Sequence, residues 1–375
     1  MEKIRVGVIG QGNMGAAHAG YLSRGEVEGA VLTAVCDESP ERLRRAIGKY
    51  GEDVKAFDDA SAFLSSGSID GVLICTPHYS HPKLAIEAFR NGLHVLIEKP
   101  AGVYTRQVRE MNEAASSSDR VFGIMYNQRT NPMYRKLRDM IRAGELGEIR
   151  RLNWIITDWY RPQCYYDSGG WRATWAGEGG GVLLNQCPHQ LDLWQWISGM
   201  MPQRIRAFCA FGQHRDIEVE NEVTAFAEYA NGATAVFITS TCETPGTNRF
   251  EVTGDRGKAV VEGGRLHVWK LDVSEGEFNR TTRESFAHPP SRKVEIELEP
   301  GEGEQHAGIT RDWVRAIRHG TPLLAPGEEG IHGLTLSNAM LLSAWTDGWA
   351  ELPLDEERFY HLLQQRIETS RGVRS

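Results

Sequence analysis

The sequence predicts two domains. The first is an α/β domain on a doubly wound parallel sheet, and the second is an α+β domain with an open, mainly antiparallel sheet. Three observations predict this. Strand-like and helix-like segments alternate over the first hundred residues. After about Tyr126 that alternation gives way to period-two runs separated by turn signals. The length, 375 residues, is more than one core ordinarily serves. The boundary is placed to give segments 1–125 and 126–375.

Ile4–Ile9 is a short, β-branched, nearly continuous apolar run, as expected of a parallel strand buried on both faces. A helix follows near Ala16–Ser23, then a second strand at Val31–Cys36. Pro40–Tyr50 reads as a helix opened by Ser39, with Pro40 at its first position. Gly71–Cys75 is a further buried strand, His81–Asn91 a helix stopped by Gly92, and Leu93–Ile97 the next strand. Strands joined by helices of about ten residues imply right-handed crossovers and an open parallel sheet. Further on, Glu222–Tyr229 and Thr234–Ser240 read as strands joined by the turn Asn231-Gly232, with another strand at Phe250–Thr253. Gly276–Pro290 is polar and expected to be a loop. Thr310–His319 and Gly333–Trp345 are helical and are expected to pack back on the first domain.

Composition narrows the class. Forty-one per cent hydrophobic and 25% charged residues describe a globular chain rather than a disordered one. A formal net charge of −8 argues against a nucleic-acid partner, which would call for a basic surface. No apolar run approaches the length that spans a bilayer, and the amino-terminal residues lack the pattern of a secretory signal. The six cysteines are scattered without a CxxC pair, so the expectation is a cytoplasmic protein with reduced thiols and no structural metal.

Gly10-Gln11-Gly12-Asn13-Met14-Gly15 is a G-x-G-x-x-G turn between the first strand and the first helix. In that context it is a dinucleotide-binding signature. Gly10 permits the tight turn, Gly12 leaves room for a pyrophosphate, and Gly15 lets helix and strand approach. The helix amino end, at Asn13 and Met14, offers N–H groups and a positive dipole to the phosphates. Asp37 ends the second strand, where a carboxylate accepts from a ribose 2′-hydroxyl and repels a 2′-phosphate. NAD is therefore expected over NADP, although Arg42, Arg44 and Arg45 follow within reach of a phosphate. Glu98-Lys99-Pro100 closes the strand Leu93–Ile97 at the carboxyl edge of the sheet, where ligands sit. Lys99 there is either a proton-handling group beside the cofactor or a surface lysine paired with Glu98.

Taken with Cys75-Thr76-Pro77-His78-Tyr79-Ser80-His81, Gly179–His189 and Leu352-Pro353-Leu354, these stretches resemble the Gfo/Idh/MocA oxidoreductases. That is the glucose–fructose oxidoreductase and inositol dehydrogenase family. The resemblance implies a nicotinamide cofactor and a carbohydrate or cyclitol substrate, oxidised or reduced at one carbon. It also implies a homodimer or homotetramer formed through the open sheet. Lys99 matches the family's catalytic lysine and His189 its catalytic histidine. The loop through Thr76, Pro77, His78 and His81 is implied to lie along the cofactor, as are Glu98 and the pair Trp171-Arg172. The H-x-x-H spacing of His78 and His81 is not expected to bind metal.

The residues around His189 carry a reading of their own. Asn185 is expected to cap a helix running through Gln190–Ile197, with Pro188 in its first turn. Asn185 and His189, four apart, then share a face. Asn185 stands where many relatives have Asp; an amide cannot take a proton, so it orients a substrate hydroxyl or His189. Six of the ten tryptophans fall in Trp154–Trp196. Aromatic faces suit sugar rings, and core packing is the alternative for each. Substrate candidates from this region are Tyr160, Arg161 and Tyr166; from the domain junction they are Tyr126, Asn127 and Arg129.

The expected reaction is hydride transfer between NAD and a secondary hydroxyl or keto carbon of a sugar, glycoside, anhydrosugar or cyclitol. His189 takes the hydroxyl proton and Lys99 steadies the charge on oxygen. Two alternatives remain open at this point. One is an NAD-assisted glycosidase, which oxidises, eliminates and re-reduces; the other is a redox-silent regulator of the same fold.

Overall fold

A computed structural model describes residues 2–298 and 300–371. The chain divides into two compact units. Unit 1 comprises Met1–Thr130, Gly177–Gly179 and Gly303–Leu334; unit 2 comprises Asn131–Ala176, Gly180–Glu302 and Thr335–Ser375. The division is not a single cut near residue 125, because tertiary packing, not chain order, assigns 303–334 to unit 1.

In chain order unit 1 begins β1 (Ile4–Ile9), α1 (Asn13–Ser23), β2 (Ala30–Cys36), α2 (Pro40–Tyr50), β3 (Lys55–Phe57), α3 (Ala60–Leu64), β4 (Gly71–Ile74). It continues α4 (His81–Arg90), β5 (His94–Ile97), α5 (Thr105–Ser116) and β6 (Phe122–Ile124). The six strands lie in the order β3-β2-β1-β4-β5-β6, all parallel. The β1 residues Val6 and Val8, flanked on both sides by β2 and β4, have no exposed surface. That explains an apolar run without alternation. Ser39 accepts from Arg42 N, and Pro40 follows at the start of α2. α1 starts three residues earlier than its apolar pattern indicates, and its cap, Gly12, has no side chain to bond the first-turn N–H groups.

Unit 2 carries α6 (Pro132–Arg142), β7 (Ile149–Ile156), α7 (Gln163–Asp167), α8 (Pro188–Ser198), β8 (Arg204–Phe211), β9 (Glu220–Glu228) and β10 (Thr234–Ser240). It goes on with β11 (Asn248–Gly254), β12 (Gly257–Glu262), β13 (Arg265–Leu271), α9 (Glu275–Thr281) and β14 (Ser291–Val294). After them come α10 (Gln305–His319), which belongs to unit 1, then α11 (Gly330–Thr346), β15 (Ala350–Glu351) and α12 (Glu356–Glu368). The nine strands of unit 2 order as β14-β13-β12-β11-β7-β10-β9-β8-β15. β7 and β10 pair parallel, so the sheet is mixed at its centre and antiparallel elsewhere. Trp154 of β7 stacks on Phe250 of β11 with ring centroids 4.2 Å apart, and both are buried.

The expected loop Gly276–Pro290 is partly helical. Ser274 accepts from Glu277 N at the start of α9, and Glu275 and Glu277 suit the positive end of a short helix. Within unit 1, α10 closes the sheet through Trp313, which is wholly buried. A Cβ on Gly71 would come 2.6 Å from its ring and one on Gly123 3.3 Å, so those two glycines make the room it fills.

Candidate functional site

The glycine turn of unit 1 is built as its spacing predicts. Gly10 adopts φ +88°, and a Cβ there would meet Cys75 O at 2.6 Å. A Cβ on Gly15 would lie 2.8 Å from Gly10 C, with the carbonyl oxygen closer still. A Cβ on Gly12 would meet nothing within 4 Å. Open space over Gly12 and an uncapped helix terminus, with Asn13 and Met14 exposed at its start, fit a diphosphate. Asp37, at the end of β2, is buried and fixed: Oδ2 accepts from Gln11 N at 2.6 Å and Oδ1 from Ser39 N at 2.9 Å. Arg42 Nη1 donates to Oδ2 at 3.4 Å. The turn and the acid are thereby one rigid piece. The residues present fit NAD: Gly10, Gly12, Asn13, Met14 and Gly15 for the diphosphate, Asp37 for the ribose.

After β4, Thr76 is half-buried and Pro77 exposed. The two histidines of this loop are buried and bond to backbone carbonyls. His81 is fully buried, with Nδ1 2.8 Å from Pro100 O and Nε2 2.7 Å from Thr76 O. His78 is buried with Nδ1 3.1 Å from Glu178 O. His81 thus ties the loop after β4 to the turn after β5.

That second turn carries Glu98-Lys99-Pro100, with a cis Lys99–Pro100 bond and Lys99 half-buried. Glu98, expected along the cofactor, has protein partners for both carboxylate oxygens. Its carboxylate turns into the protein: Oε1 lies 2.6 Å from His18 Nε2, and Oε2 accepts from Lys99 N at 3.1 Å. Burial alone would push this carboxyl up, but the hydrogen bond from His18 and the neighbouring positive groups bring it down to about 2. His18 Nδ1 meets the Tyr21 hydroxyl at 2.6 Å, which meets Thr310 Oγ1 at 2.6 Å. His18, Tyr21 and Thr310 escape a sequence reading. The one available signal is a histidine on the face of α1 that also buries Gly15, Ala19 and Leu22.

The junction residues are also corrected. Arg129 is fully buried, donates to Leu324 O at 3.1 Å and Glu329 Oε2 at 2.5 Å, and lies over the Tyr126 ring at 5.2 Å. The Tyr126 hydroxyl reaches Gly330 O at 3.5 Å, and Asn127 Nδ2 donates to Gln305 Oε1 at 2.5 Å. All three are fasteners between the end of the sheet and segment 303–334 of the same unit. Arg129 reads as a ligand in sequence because its partners lie about two hundred residues away.

In unit 2, Asn185 does not cap a helix. Its N–H donates to Gly181 O at 2.9 Å within a turn, and α8 begins at Pro188 with Cys187 as cap. Even so, from Gly181 to Gln190 only Asn185 and His189 are not buried. Tyr165 organises the surroundings. Its hydroxyl receives Arg172 Nη1 at 2.8 Å, Gln186 Nε2 at 3.2 Å and Asn185 Nδ2 at 3.4 Å. The Arg172 guanidinium lies 4.6 Å from both the Tyr165 and Trp171 ring centres, and that of Arg161 5.0 Å from the Tyr165 ring. Trp171, Arg172, Asn185 and Arg161 are thus gathered around a tyrosine that sequence reading passed over in favour of its neighbours. Tyr166 is buried with its hydroxyl on Thr241 Oγ1 at 2.8 Å, a core position rather than a substrate contact. Tyr160 is 43% exposed, with the Arg215 guanidinium 5.3 Å from its ring centre and its carbonyl accepting from Arg161 Nη1 at 2.9 Å.

Two family models match. One, described as the oxidoreductase family with an NAD-binding Rossmann fold, covers residues 4–126; the other, the GFO/IDH/MocA C-terminal domain, covers 134–260. The inositol 2-dehydrogenase of Rhizobium meliloti (strain 1021) is 25% identical over 347 residues, 91% of this chain and 96% of that enzyme. The D-glucoside 3-dehydrogenase of Escherichia coli (strain K12) is 31% identical over 201 residues, 52% of this chain and 54% of its own. Among solved structures, the WlbA dehydrogenase of Bordetella pertussis, in complex with NADH and UDP-GlcNAcA, superposes with a TM-score of 0.80 at 26% identity. That match covers 94% of this chain and 100% of the other.

Proposed function

The chain belongs to the GFO/IDH/MocA oxidoreductases, with an NAD-binding Rossmann domain, and from that premise we propose that it transfers hydride between NAD and a secondary hydroxyl or keto carbon of a sugar, glycoside, anhydrosugar or cyclitol. The observation that carries the reading is the placement of Lys99. It leaves β5 at the carboxyl edge of the sheet, two strands from the glycine turn, since β5 adjoins β4 and β4 adjoins β1. NAD, when bound, supplies the hydride acceptor or donor. Lys99 steadies negative charge on the reacting oxygen and His189 takes or returns its proton. Asn185, unable to take a proton, orients a hydroxyl by donating and accepting hydrogen bonds. Trp171 and Arg172 hold the cofactor's reactive end, and Arg161 is a substrate contact.

Asp37 favours NAD over NADP, since a carboxylate repels a 2′-phosphate. The relatives named above act on inositol and a glucoside by their names, which supports a polyhydroxylated substrate. We read the assembly as a homodimer or homotetramer in the cytoplasm. The exposed Phe208 on the open face of β8 supports a covered sheet, and no described helix is long and apolar enough to cross a membrane.

The test is a panel of monosaccharides, anhydrosugars, glycosides and inositols with NAD and with NADP, read at the reduced-nicotinamide absorbance. Lys99→Ala and His189→Ala should each lose roughly 10²-fold or more in turnover and keep NADH affinity. Full activity in either variant overturns the role assignment. Consumption of a glycoside without net NADH would point to transient oxidation and elimination instead. Silence across the panel would point to a regulator.

A further inference from the structure

The buried chain that begins at Glu98 lies wholly within unit 1 and is not used by the mechanism above. His18 comes from α1, Glu98 from the end of β5 and Thr310 from α10, so three elements are joined by this chain. The Glu98 carboxylate can only accept, so the hydrogen on the 2.6 Å contact sits on His18 Nε2. Burial pushes the Tyr21 phenol up, so its hydroxyl keeps its proton and links His18 to Thr310. Thr310 Oγ1 in turn donates to His306 O at 3.1 Å, which ends the chain on the backbone of α10.

We propose that His18 is a positioning residue for Lys99, acting through Glu98. Its Nε2–H fixes one carboxylate oxygen so that the other holds the Lys99 backbone N–H, and the carboxylate charge keeps the Lys99 ammonium protonated. The inference rests on the dehydrogenase reading only for its purpose, a lysine held charged at the carboxyl edge of the sheet. Titratable groups that interact with Glu98 or Lys99 include His18 and Tyr21 from α1, Cys75 after β4, His81 from α4 and His306 from α10. Burial pushes both His81 and His306 down, which leaves them neutral at neutral pH, and it raises the Cys75 thiol. Glu98 is thus a negative charge held beside Lys99. Lys99 is one of the positive groups that lower Glu98.

The experiment is acetylation of the full-length protein with acetic anhydride across pH, with the Lys99 peptide followed by mass spectrometry. Only the unprotonated amine reacts. Glu98→Gln should move the midpoint for Lys99 down by about one pH unit or more, with the exposed lysines Lys49 and Lys83 unmoved. His18→Ala should move it the same way by less, because a buried carboxyl without its donor takes up a proton more readily. His18→Gln, whose amide can still donate to Glu98, should restore the midpoint most of the way. A group with only a structural role would lower Tm in these variants and leave the Lys99 midpoint in place. An unchanged midpoint in Glu98→Gln overturns the proposal. If that variant does not fold, identical midpoints in His18→Ala and His18→Gln overturn it equally. Shifted midpoints together with no turnover on the sugar panel would sink the dehydrogenase reading and leave this one standing.

Discussion

Adding one methyl group at Gly12 or at Gly15 should break the protein in opposite ways. Gly12 caps α1 with an extended backbone, φ −70° and ψ −164°, which alanine can adopt, and its Cβ would meet nothing within 4 Å. The loss of a good cap residue, up to about 1 kcal/mol, is offset by the stiffer unfolded chain, about 0.4–1 kcal/mol. Gly12→Ala should therefore melt within a degree or two of the wild type. The methyl instead occupies the space through which a diphosphate reaches the uncapped N–H groups of α1. Each such charged hydrogen bond contributes about 1.5–3 kcal/mol. Losing one or two predicts a fall in NADH affinity of roughly 10²-fold. At Gly15 the new Cβ would lie 2.8 Å from Gly10 C and closer to its oxygen, both backbone atoms of a turn pinned by Gly10 N to Cys36 O. Helix or turn must move, at about 3 kcal/mol. For a domain of this size that is a fall in Tm of roughly 6–12 °C. Scanning calorimetry and NADH fluorescence titration on both variants separate the effects. Wild-type NADH affinity in Gly12→Ala would refute the diphosphate position, and a wild-type Tm in Gly15→Ala would refute the contact that makes Gly15 necessary.

Trp313→Ala empties the space over Gly71 and Gly123 and should destabilise unit 1 by about 3–5 kcal/mol; a calorimetric change under 1 kcal/mol would show that the sheet collapses into the gap. Tyr165→Phe removes the acceptor shared by Arg172, Gln186 and Asn185. It should raise KM roughly tenfold for whichever panel substrate is turned over, about 1.4 kcal/mol, with Tm little changed, and an unaltered KM would place the substrate elsewhere. Acid should act on unit 1 through Glu98. Its carboxyl titrates at about 2 in the folded protein and near 4.3 in an unfolded chain. Its contribution is therefore complete above about pH 5 and is lost as pH falls toward 2. Glu98→Gln should flatten that part of the stability curve, measured by urea unfolding between pH 3 and 6, and a parallel curve would count against the depressed carboxyl.

The sequence by itself determined what rests on short-range rules. The apolar run of β1, the Gly10–Gly15 turn, Asp37 ending β2 and the Ser39–Pro40 start of α2 depend on residues within a few positions of each other, so period and turn chemistry suffice to read them. Lys99 was legible for the same reason, as the residue that leaves a buried strand. Only the tertiary structure decided who faces whom. Glu98 reads as a cofactor contact until α1 brings His18, eighty residues earlier in the chain, against it. Arg129 reads as a substrate contact until Glu329 arrives to claim it. Tyr165 and Tyr166 are adjacent and chemically alike, yet the turn of α7 sends one hydroxyl to Arg172 and the other to Thr241 in the core. A polar side chain near a site can serve the ligand or the scaffold. The choice is made by packing partners distant in sequence, because a buried polar group must find its hydrogen bond wherever the folded chain supplies one.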